Sequence, residues 1–117
     1  MANNDNDRAG VLVFGLGRFG SAIADTLDNM DVEVLAVDRN PETVERWSRR
    51  IPCVEANGAD PRALEQLGAA DFAAAVVGVG ESLEASVLIT GNLVDAGVPE
   101  IWAKANSVEH ARILERI

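Results

Sequence analysis

Two kinds of hydrophobic pattern alternate along this chain. Short runs dominated by Val, Ile, Leu and Ala predict five strands, at residues 11–14, 32–37, 51–54, 73–79 and 100–103. Most of these runs are apolar throughout and do not place a polar residue at every second position. Strands that are buried on both faces have this character, so the runs indicate the interior of a layered domain.

Between the runs, apolar residues recur at helical spacing. Phe19, Ile23 and Leu27 lie four residues apart and predict one helix whose apolar stripe faces the core. The other four predicted helices each begin near a residue typical of a helix N-terminus, namely Pro41, Pro61, Ser82 and Ser107. Gly68 and Gly97 mark the ends of the third and fourth helices, and the fifth is expected to run to Ile117.

Strand and helix alternating in this way predict an α/β fold. We expect a Rossmann-type doubly wound parallel sheet in three α/β/α layers, because parallel strands joined by helices are covered on both faces. A flexible polar arm over residues 1–9 is expected to precede a single domain over residues 10–117. Since the pattern ends on a helix without a closing strand, we also expect the chain to be a fragment of a longer subunit.

Composition and charge narrow the function classes. The chain has 117 residues and a formal net charge of −9, which disfavours nucleic acid and anionic membranes as direct partners. No apolar run approaches the roughly 18 residues of a membrane span, and the polar N-terminus does not resemble a signal peptide, so we expect a cytoplasmic protein. A lone Cys53 and a lone His110 cannot supply a zinc site, and His110 is expected on the surface of the last helix.

The most informative stretch is Gly-Leu-Gly-Arg-Phe-Gly, which follows the first predicted strand and opens the first helix. Gly15 suits a tight turn, Gly17 lets a phosphate approach the backbone, and Gly20 lets the helix pack closely on the sheet. The helix N-terminus offers N–H groups and partial positive charge to a diphosphate. Asp38, at the end of the second strand, is the expected partner of the ribose hydroxyls. Its charge disfavours the 2′-phosphate of NADP, although Arg39 beside it can meet a phosphate or stack on adenine. The alternative is a turn with incidental glycines.

Further candidate ligand-binding residues follow the third, fourth and fifth strands at the same edge of the sheet. The loop after the third strand is predicted to border the adenine ring, and the ends of the fourth and fifth strands to border phosphates or a second nucleoside. These candidates are Ala56, Asn57 and Asp60 beside the adenine, and Gly80, Glu81 and Lys104 on the other side. Arg18 and Lys104 are the cations best placed to meet terminal phosphates. Asp60 is also expected to cap the helix that starts at Pro61, and both roles can hold at once. For each cation the alternative is a side chain simply exposed to solvent.

The chemistry of a dehydrogenase is missing from this pattern. Such an enzyme needs a proton donor or a metal beside the nicotinamide, and the sequence has no Tyr, one Cys and one His. We therefore predict a binding domain with no catalytic and no metal-ligating residues. The NAD-binding fragment of a dehydrogenase stays open as an alternative, because the catalytic part of such an enzyme lies in another domain.

Four segments together resemble a known family. They are "VFGLGRFGSAIADTL", "VLAVDRNPETVE", "VGVGESLEASVLITGNL" and "VPEIWAKANSVEHARILERI". They resemble the regulator-of-potassium-conductance (RCK) N-terminal domain, also called the TrkA-N domain, of the KtrA and TrkA type of gating subunit. In the loop after the third strand the chain departs from the family pattern, because Gly58 and Ala59 stand where Ala and Thr are usual.

The resemblance implies a regulatory function. Such domains bind ATP, ADP or NAD(H), some bind AMP-type ligands, and ligand exchange changes the shape of an oligomer that gates a potassium channel or transporter. The oligomer is a homodimer and, in full subunits, an octameric ring held at the inner face of the membrane through its transporter partner. Matched by position, the phosphate loop comprises Gly15, Leu16, Gly17, Arg18, Phe19 and Gly20. We favour ATP and ADP as opposed ligands, with NAD(H) as the alternative. A sensor domain of another cation transporter or antiporter also stays open.

Overall fold

The computed structural model describes residues 8–79 and 82–117. The strands are β1 (Val11–Phe14), β2 (Val34–Asp38), β3 (Cys53–Glu55), β4 (Ala74–Val77) and β5 (Glu100–Ala103). The helices are α1 (Arg18–Asn29), α2 (Pro41–Trp47), α3 (Pro61–Leu67), α4 (Leu83–Asp95) and α5 (Val108–Glu115), with a 3₁₀ turn at Ala69–Asp71. No helix in these two ranges is both long and apolar enough to cross a membrane.

The five strands form one parallel sheet in the order β3-β2-β1-β4-β5. β1 therefore pairs with β2 on one side and with β4 on the other. The connections through α1 and α2 pack on one face of the sheet, and those through α3 and α4 pack on the other. In sheets of this kind ligands bind at the carboxyl ends of the strands, where the strand order reverses. The predicted Rossmann-type fold is confirmed.

Two apolar clusters lie on the two faces of the sheet. On one face, Leu12, Phe14 and Val77 pack against residues of α3 and α4 such as Leu64 and Ile89. On the other face, the cluster joins residues of β1, β2 and β4 to α1 and to the end of α2, and its buried members are Val13, Leu16, Ala24, Val34, Ala36, Ile51 and Val76. Successive residues of β1 thus enter different clusters, which explains why its sequence is apolar at every position.

The predicted helix ends are largely confirmed. Ser82 accepts a hydrogen bond from Ala85 N and Ser107 accepts one from His110 N, as expected for N-caps. Gly68 ends α3 in the left-handed conformation, with φ of 70°. The fifth helix, however, ends at Glu115 and does not run to Ile117.

Two strand boundaries differ from the prediction for the same reason. Val32 N donates to Leu27 O at 3.0 Å and Ile51 N donates to Trp47 O at 3.0 Å, so each residue closes the preceding helix and lies outside the strand. Both side chains still pack in the cluster on the α1 side. An apolar residue can be part of the core without belonging to a strand, and the hydrophobic pattern does not separate the two cases.

Two residues of the predicted N-terminal arm are hydrogen-bonded to the domain. Arg8 Nη1 donates to Gly97 O at 3.1 Å and Ala9 N donates to Asp71 O at 3.3 Å. These two residues therefore belong to the folded domain. The rest of the predicted arm, up to residue 7, lies outside the described residues.

Candidate functional site

The three glycines of the loop between β1 and α1 differ in what surrounds them. Gly15 has φ of +91°, and a Cβ atom there would lie 2.7 Å from Val79 Cγ1. A Cβ at Gly20 would lie 1.6 Å from Gly15 O, so α1 touches the loop backbone directly. By contrast, among the described residues no heavy atom other than those of Gly17 and its two chain neighbours lies within 4 Å of a Cβ placed on Gly17. Packing therefore requires the first and third glycines, while Gly17 leaves open space outside the N-terminus of α1.

Gly17 is also the N-cap of α1. It makes no side-chain capping bond, and the first turn of α1 contains no acidic residue. The N–H groups at a helix start have no intrahelical partner and carry partial positive charge. The open space at Gly17 therefore adjoins a place that suits an anion.

Asp38 ties the end of β2 to the glycine loop. Its Oδ2 accepts from Leu16 N at 2.8 Å, and its Oδ1 accepts from Asn40 N at 2.9 Å. These bonds hold the carboxylate in one orientation, and each oxygen keeps a further lone pair for another donor. The Asp38 charge also contributes, after burial, to raising the pKa of the Cys53 thiol on β3. That thiol stays protonated near neutral pH and is not an activated nucleophile.

A cleft opens at the carboxyl ends of β1, β2 and β3. Its cavity volume is about 70 Å³, within about 390 Å³ of empty space that includes open solvent. Residues of the glycine loop, of the ends of β1 and β2, of the loops after β3 and β4, and of α4 line it, and they are Phe14, Gly15, Val37, Asp38, Arg39, Ala56, Asn57, Gly58, Val79, Ala85 and Ile89. The cleft thus lies at the switch point of the sheet and is apolar on its floor and polar at its rim.

The floor of the cleft explains the glycine that departs from the family pattern. A Cβ at Gly58 would lie 2.9 Å from Phe14 Cδ1 and 3.2 Å from Ile89 Cγ1. Phe14 and Ile89 are buried, so a methyl group at position 58 would have to displace packed side chains. Asn92 of α4 holds the same loop from behind, because its Nδ2 donates to Gly58 O at 3.1 Å. Gly58 is therefore the residue that fits above Phe14 here.

The loop after β3 brings some predicted residues to the cleft and turns one away. Ala56 and Asn57 line it, and Asn57 Oδ1 accepts from Ala59 N at 3.1 Å. Asp60 is not among the lining residues; it caps α3 by accepting from Arg62 N at 3.0 Å. Hydrogen bonds from Arg62 lower the pKa of the Asp60 carboxyl. The structure thus contains the helix cap at Asp60 that the sequence predicts.

The predicted cations approach the loop from two sides. Arg18 is the first residue of α1 and is exposed. Lys104 follows β5, its backbone N donates to Val77 O at 3.0 Å, and its Nζ lies 5.5 Å from the centre of the Phe19 ring. Phe19 is 37% exposed, so the expectation that it faces the core is wrong. Its ring instead lies under Lys104, where a cation over an aromatic face is stabilised.

The remaining predicted site residues contribute through the backbone, line the cleft or lie outside the described residues. Leu16 is buried in the cluster on the α1 side, while its N–H bonds to Asp38. Arg39 lines the cleft next to Asp38. Gly80 and Glu81 lie outside the described residues. Within residues 8–79 and 82–117, no group of three or more His, Cys, Asp or Glu side chains is arranged to hold a metal ion.

His110 contradicts its predicted surface position. It is only 3% exposed, and its Nε2 lies 2.9 Å from Ser86 Oγ on α4. The signal was present in the sequence, because His110 and Leu114 are four residues apart and share the face of α5 that packs inward.

Comparisons with known proteins agree with this geometry. A model of the TrkA-N domain family matches residues 11–117. Ktr system potassium uptake protein A of Bacillus subtilis (strain 168) is 41% identical over 106 residues, which are 90% of this chain and 48% of that protein. Ktr system potassium uptake protein A of Vibrio alginolyticus is 34% identical over 106 residues, again 90% of this chain and 48% of that protein. The chain spans about half the length of these relatives.

Solved structures share the fold at lower identity. The GsuK channel bound to NAD has a TM-score of 0.84 at 15% identity, covering 97% of this chain and 21% of that one. GsuK bound to ADP has a TM-score of 0.80 at 15% identity, covering 97% and 30%. The Kef CTD of Shewanella denitrificans in its AMP-bound form has a TM-score of 0.72 at 21% identity, covering 92% and 65%.

The family match begins at the first residue of β1 and takes in the whole sheet, the glycine loop and Asp38. This chain belongs to the TrkA-N domain family.

Proposed function

We propose that this domain senses an adenine nucleotide and, within a regulatory subunit, controls a potassium channel or transporter. The observation that carries the proposal is the cleft at the switch point, which is bordered by Gly15 of the glycine loop and by the carboxylate of Asp38, held in place by two backbone N–H groups. The 41% identity to a Ktr potassium uptake protein supports the link to potassium transport.

The cleft suits the adenosine half of a nucleotide. In the proposed pose the adenine lies above Phe14 and Gly58, with Ala56, Asn57 and Arg39 at its rim. The ribose lies against Asp38, whose free lone pairs accept bonds from its hydroxyls. A 2′-phosphate would meet the carboxylate at this point, so NADP is disfavoured.

The phosphates are proposed to lie over Gly17 at the N-terminus of α1. Arg18 and Lys104 then approach a terminal phosphate from two sides. Hydrogen bonds between charged groups are roughly twice as strong as those between neutral ones. A phosphate chain with more negative charge is therefore bound more strongly by these two cations.

ATP and ADP are our preferred opposed ligands. GsuK is described as bound to NAD and to ADP, and the Kef CTD as bound to AMP, and these three ligands have an adenosine monophosphate part in common. That shared part supports recognition of the adenosine half by this fold. NAD(H) is therefore the second candidate, and AMP would occupy the same half of the cleft.

The proposed mechanism is a change in assembly. A ligand shifts an equilibrium between two shapes only through a difference in its affinity for them. α4 forms one wall of the cleft, and α4, α5 and the segment after α5 also expose large apolar side chains on the outside, including Leu88 and Val94 of α4, Ile113 of α5, and Ile117. We propose that this outer face pairs with a second copy as a homodimer, and that full subunits form an octameric ring at the cytoplasmic side of a membrane transporter.

The domain is proposed to have no catalytic role. His110 is the one imidazole in the sequence, and its ring is buried between α4 and α5 and engaged at both nitrogens. It does not line the cleft, so it cannot exchange a proton with a ligand bound there. The dehydrogenase alternative thus lacks its most obvious acid in this domain.

Calorimetric titration of the chain with ATP, ADP, AMP, NADH and NADPH tests the proposal. We expect binding of ATP and ADP, weaker binding of NADPH than of NADH, and a loss in Arg18→Ala of about tenfold for ATP with a smaller loss for ADP. Arg49→Ala is the matched control, since it removes the same charge from an exposed position near the end of α2, away from the cleft. If no nucleotide binds, the proposed function is wrong. If NADH binds best and Arg18→Ala changes nothing, the ATP/ADP switch is wrong and the NAD(H) sensor replaces it.

A further inference from the structure

We infer that His110 is a positioning residue for nucleotide recognition, because its buried ring links the segment that carries Lys104 to the helix that lines the cleft. The inference rests on the proposed function and adds a route by which α4 and the phosphate end of the site are coupled. It concerns a residue that touches neither the cleft nor any ligand placed in it.

The hydrogen bonds of the ring determine its protonation. Nδ1 accepts from Asn106 N at 3.1 Å, and a backbone N–H can only donate. Nδ1 is therefore unprotonated, the neutral ring carries its hydrogen on Nε2, and Nε2 donates to Ser86 Oγ at 2.9 Å. His110 is thus held at both nitrogens in a single tautomer and a single orientation.

One end of this link fixes the segment that follows β5. Lys104 N is bonded to Val77 O on β4, and Asn106 N, two residues later, is bonded to the ring. Two residues of chain span at most about 7 Å, so these two anchors leave the segment little freedom. Since Lys104 lies between β4 and the Phe19 ring, the anchor at Asn106 helps to keep its ammonium beside the glycine loop.

The other end of the link is part of the cleft wall. Ser86 is fully buried on α4 and directly follows Ala85, which lines the cleft. Further along the same helix, Asn92 holds Gly58 O on the cleft floor. α4 is therefore hydrogen-bonded to both sides of the site, to the adenine side through Asn92 and to the phosphate side through Ser86 and His110.

A merely structural role for the same pair would have a different consequence. A buried polar pair that only stabilises the domain affects all ligands alike, through the fraction of folded protein. A positioning residue that acts through Lys104 affects only ligands whose phosphates reach Lys104. The comparison of ATP with adenosine, which has no phosphate, separates the two roles.

Two substitutions separate the roles of the two ring nitrogens of His110. His110→Asn places an amide oxygen near the position of Nδ1 and retains an acceptor for Asn106 N, while His110→Gln reaches Ser86 and leaves Asn106 N without its acceptor. We expect His110→Gln to weaken ATP binding about fivefold with adenosine unchanged, and His110→Asn to retain most of the ATP affinity. Val34→Ala is the control for general destabilisation, since Val34 is buried on the opposite face of the sheet.

A double-mutant cycle with Lys104→Ala completes the test. In the Lys104→Ala background, His110→Gln is expected to cause no further loss of ATP affinity, because the residue through which it acts is gone. The inference is overturned if the two substitutions lower the ATP affinity by factors that multiply, or if His110→Gln lowers the affinities for ATP and adenosine equally. If the His110 variants do not fold, Ser86→Ala frees the Nε2 end alone and is expected to weaken ATP about twofold relative to adenosine; an unchanged ratio in this variant overturns the inference too. Absence of any nucleotide binding by the parent chain would overturn the proposed function as well, so the two failures are distinguishable.

Discussion

Substitution of Gly58 by alanine tests the packing of the cleft floor. The new methyl group would lie 2.9 Å from Phe14 Cδ1 and Cε1 and 3.2 Å from Ile89 Cγ1, whereas carbon atoms in contact prefer about 3.5–4.0 Å. The Phe14 ring is 1% exposed and packed in the core, so it must move by about half an ångström against its neighbours. Overpacking of this kind costs about 1–3 kcal/mol of the free energy of unfolding.

The expected result is a lower melting temperature. Unfolding entropies near 2.1 cal/mol/K per residue make 1 kcal/mol equivalent to about 4 °C for a chain of this length, so Gly58→Ala should lower Tm by about 4–12 °C. Thermal unfolding followed by far-UV circular dichroism measures the change. Gly91→Ala is the matched control, because a Cβ there meets only Ile117 Cγ2 at 3.9 Å. In the interior of α4 that substitution should stabilise by about 0.5–1 kcal/mol.

A second substitution identifies Phe14 as the cause. Phe14→Leu removes the ring edge beneath the loop, so the double variant Phe14→Leu/Gly58→Ala should be more stable than the sum of the single changes indicates, by at least about 0.5 kcal/mol. If Gly58→Ala melts at the parent temperature or above it, or if the two changes are additive, the proposed conflict with Phe14 is refuted.

Three further predictions concern the glycine loop and its carboxylates. Gly20→Ala should cost more than about 3 kcal/mol in urea denaturation, because its Cβ would lie 1.6 Å from the backbone oxygen of Gly15 and neither can yield; a loss below about 1 kcal/mol would contradict this packing. Asp38→Asn should lose about 1–2 kcal/mol of stability, because the amide N–H group then faces one of the two backbone N–H donors. Calorimetry should also show a higher affinity for NADPH relative to NADH, because the negative charge at the ribose is gone. An unchanged ratio of the two affinities would exclude Asp38 as the discriminating group. The pKa of Asp60 is lower in the folded chain than its ordinary value because of Arg62, so its contribution to stability is present above about pH 4 and is lost as the pH falls below that. Asp60→Asn keeps the helix cap but has no titrating group, so its Tm should fall less than that of the parent chain between pH 5 and pH 2. The difference is the part of the fall that protonation of Asp60 causes. Equal falls in both proteins would show that Asp60 is not responsible.

The parts of the site that depend on neighbouring residues in sequence could be predicted. A glycine loop between a strand and a helix, an acidic residue at the end of β2, and serines ahead of α4 and α5 are local patterns with local physical causes. The structure contains the Gly15 turn, the close approach at Gly20 and both serine caps. These features need no information about which surfaces meet.

The parts that depend on tertiary neighbours could not be predicted. Phe19 fits the apolar stripe of α1, but the stripe begins one turn later, and Phe19 supports Lys104 instead. His110 is polar and was assigned to the surface, yet a buried partner on α4, Ser86, allows it to lie inside. The sequence predicts that Asp60 both caps a helix and borders the adenine, and the tertiary structure shows the cap and a cleft lining without Asp60.

The central claim is that an adenine nucleotide occupies the cleft at the switch point. Amide chemical shifts of the ¹⁵N-labelled chain during titration with ADP measure this directly, residue by residue. The account predicts that the largest shifts fall on the glycine loop at residues 15–20, on Asp38 and on residues 56–58, and that they saturate together with one dissociation constant. Shifts that do not appear at millimolar ADP, or that concentrate on the exposed apolar face of α4 and α5 around Leu88, Val94 and Ile113, would contradict it.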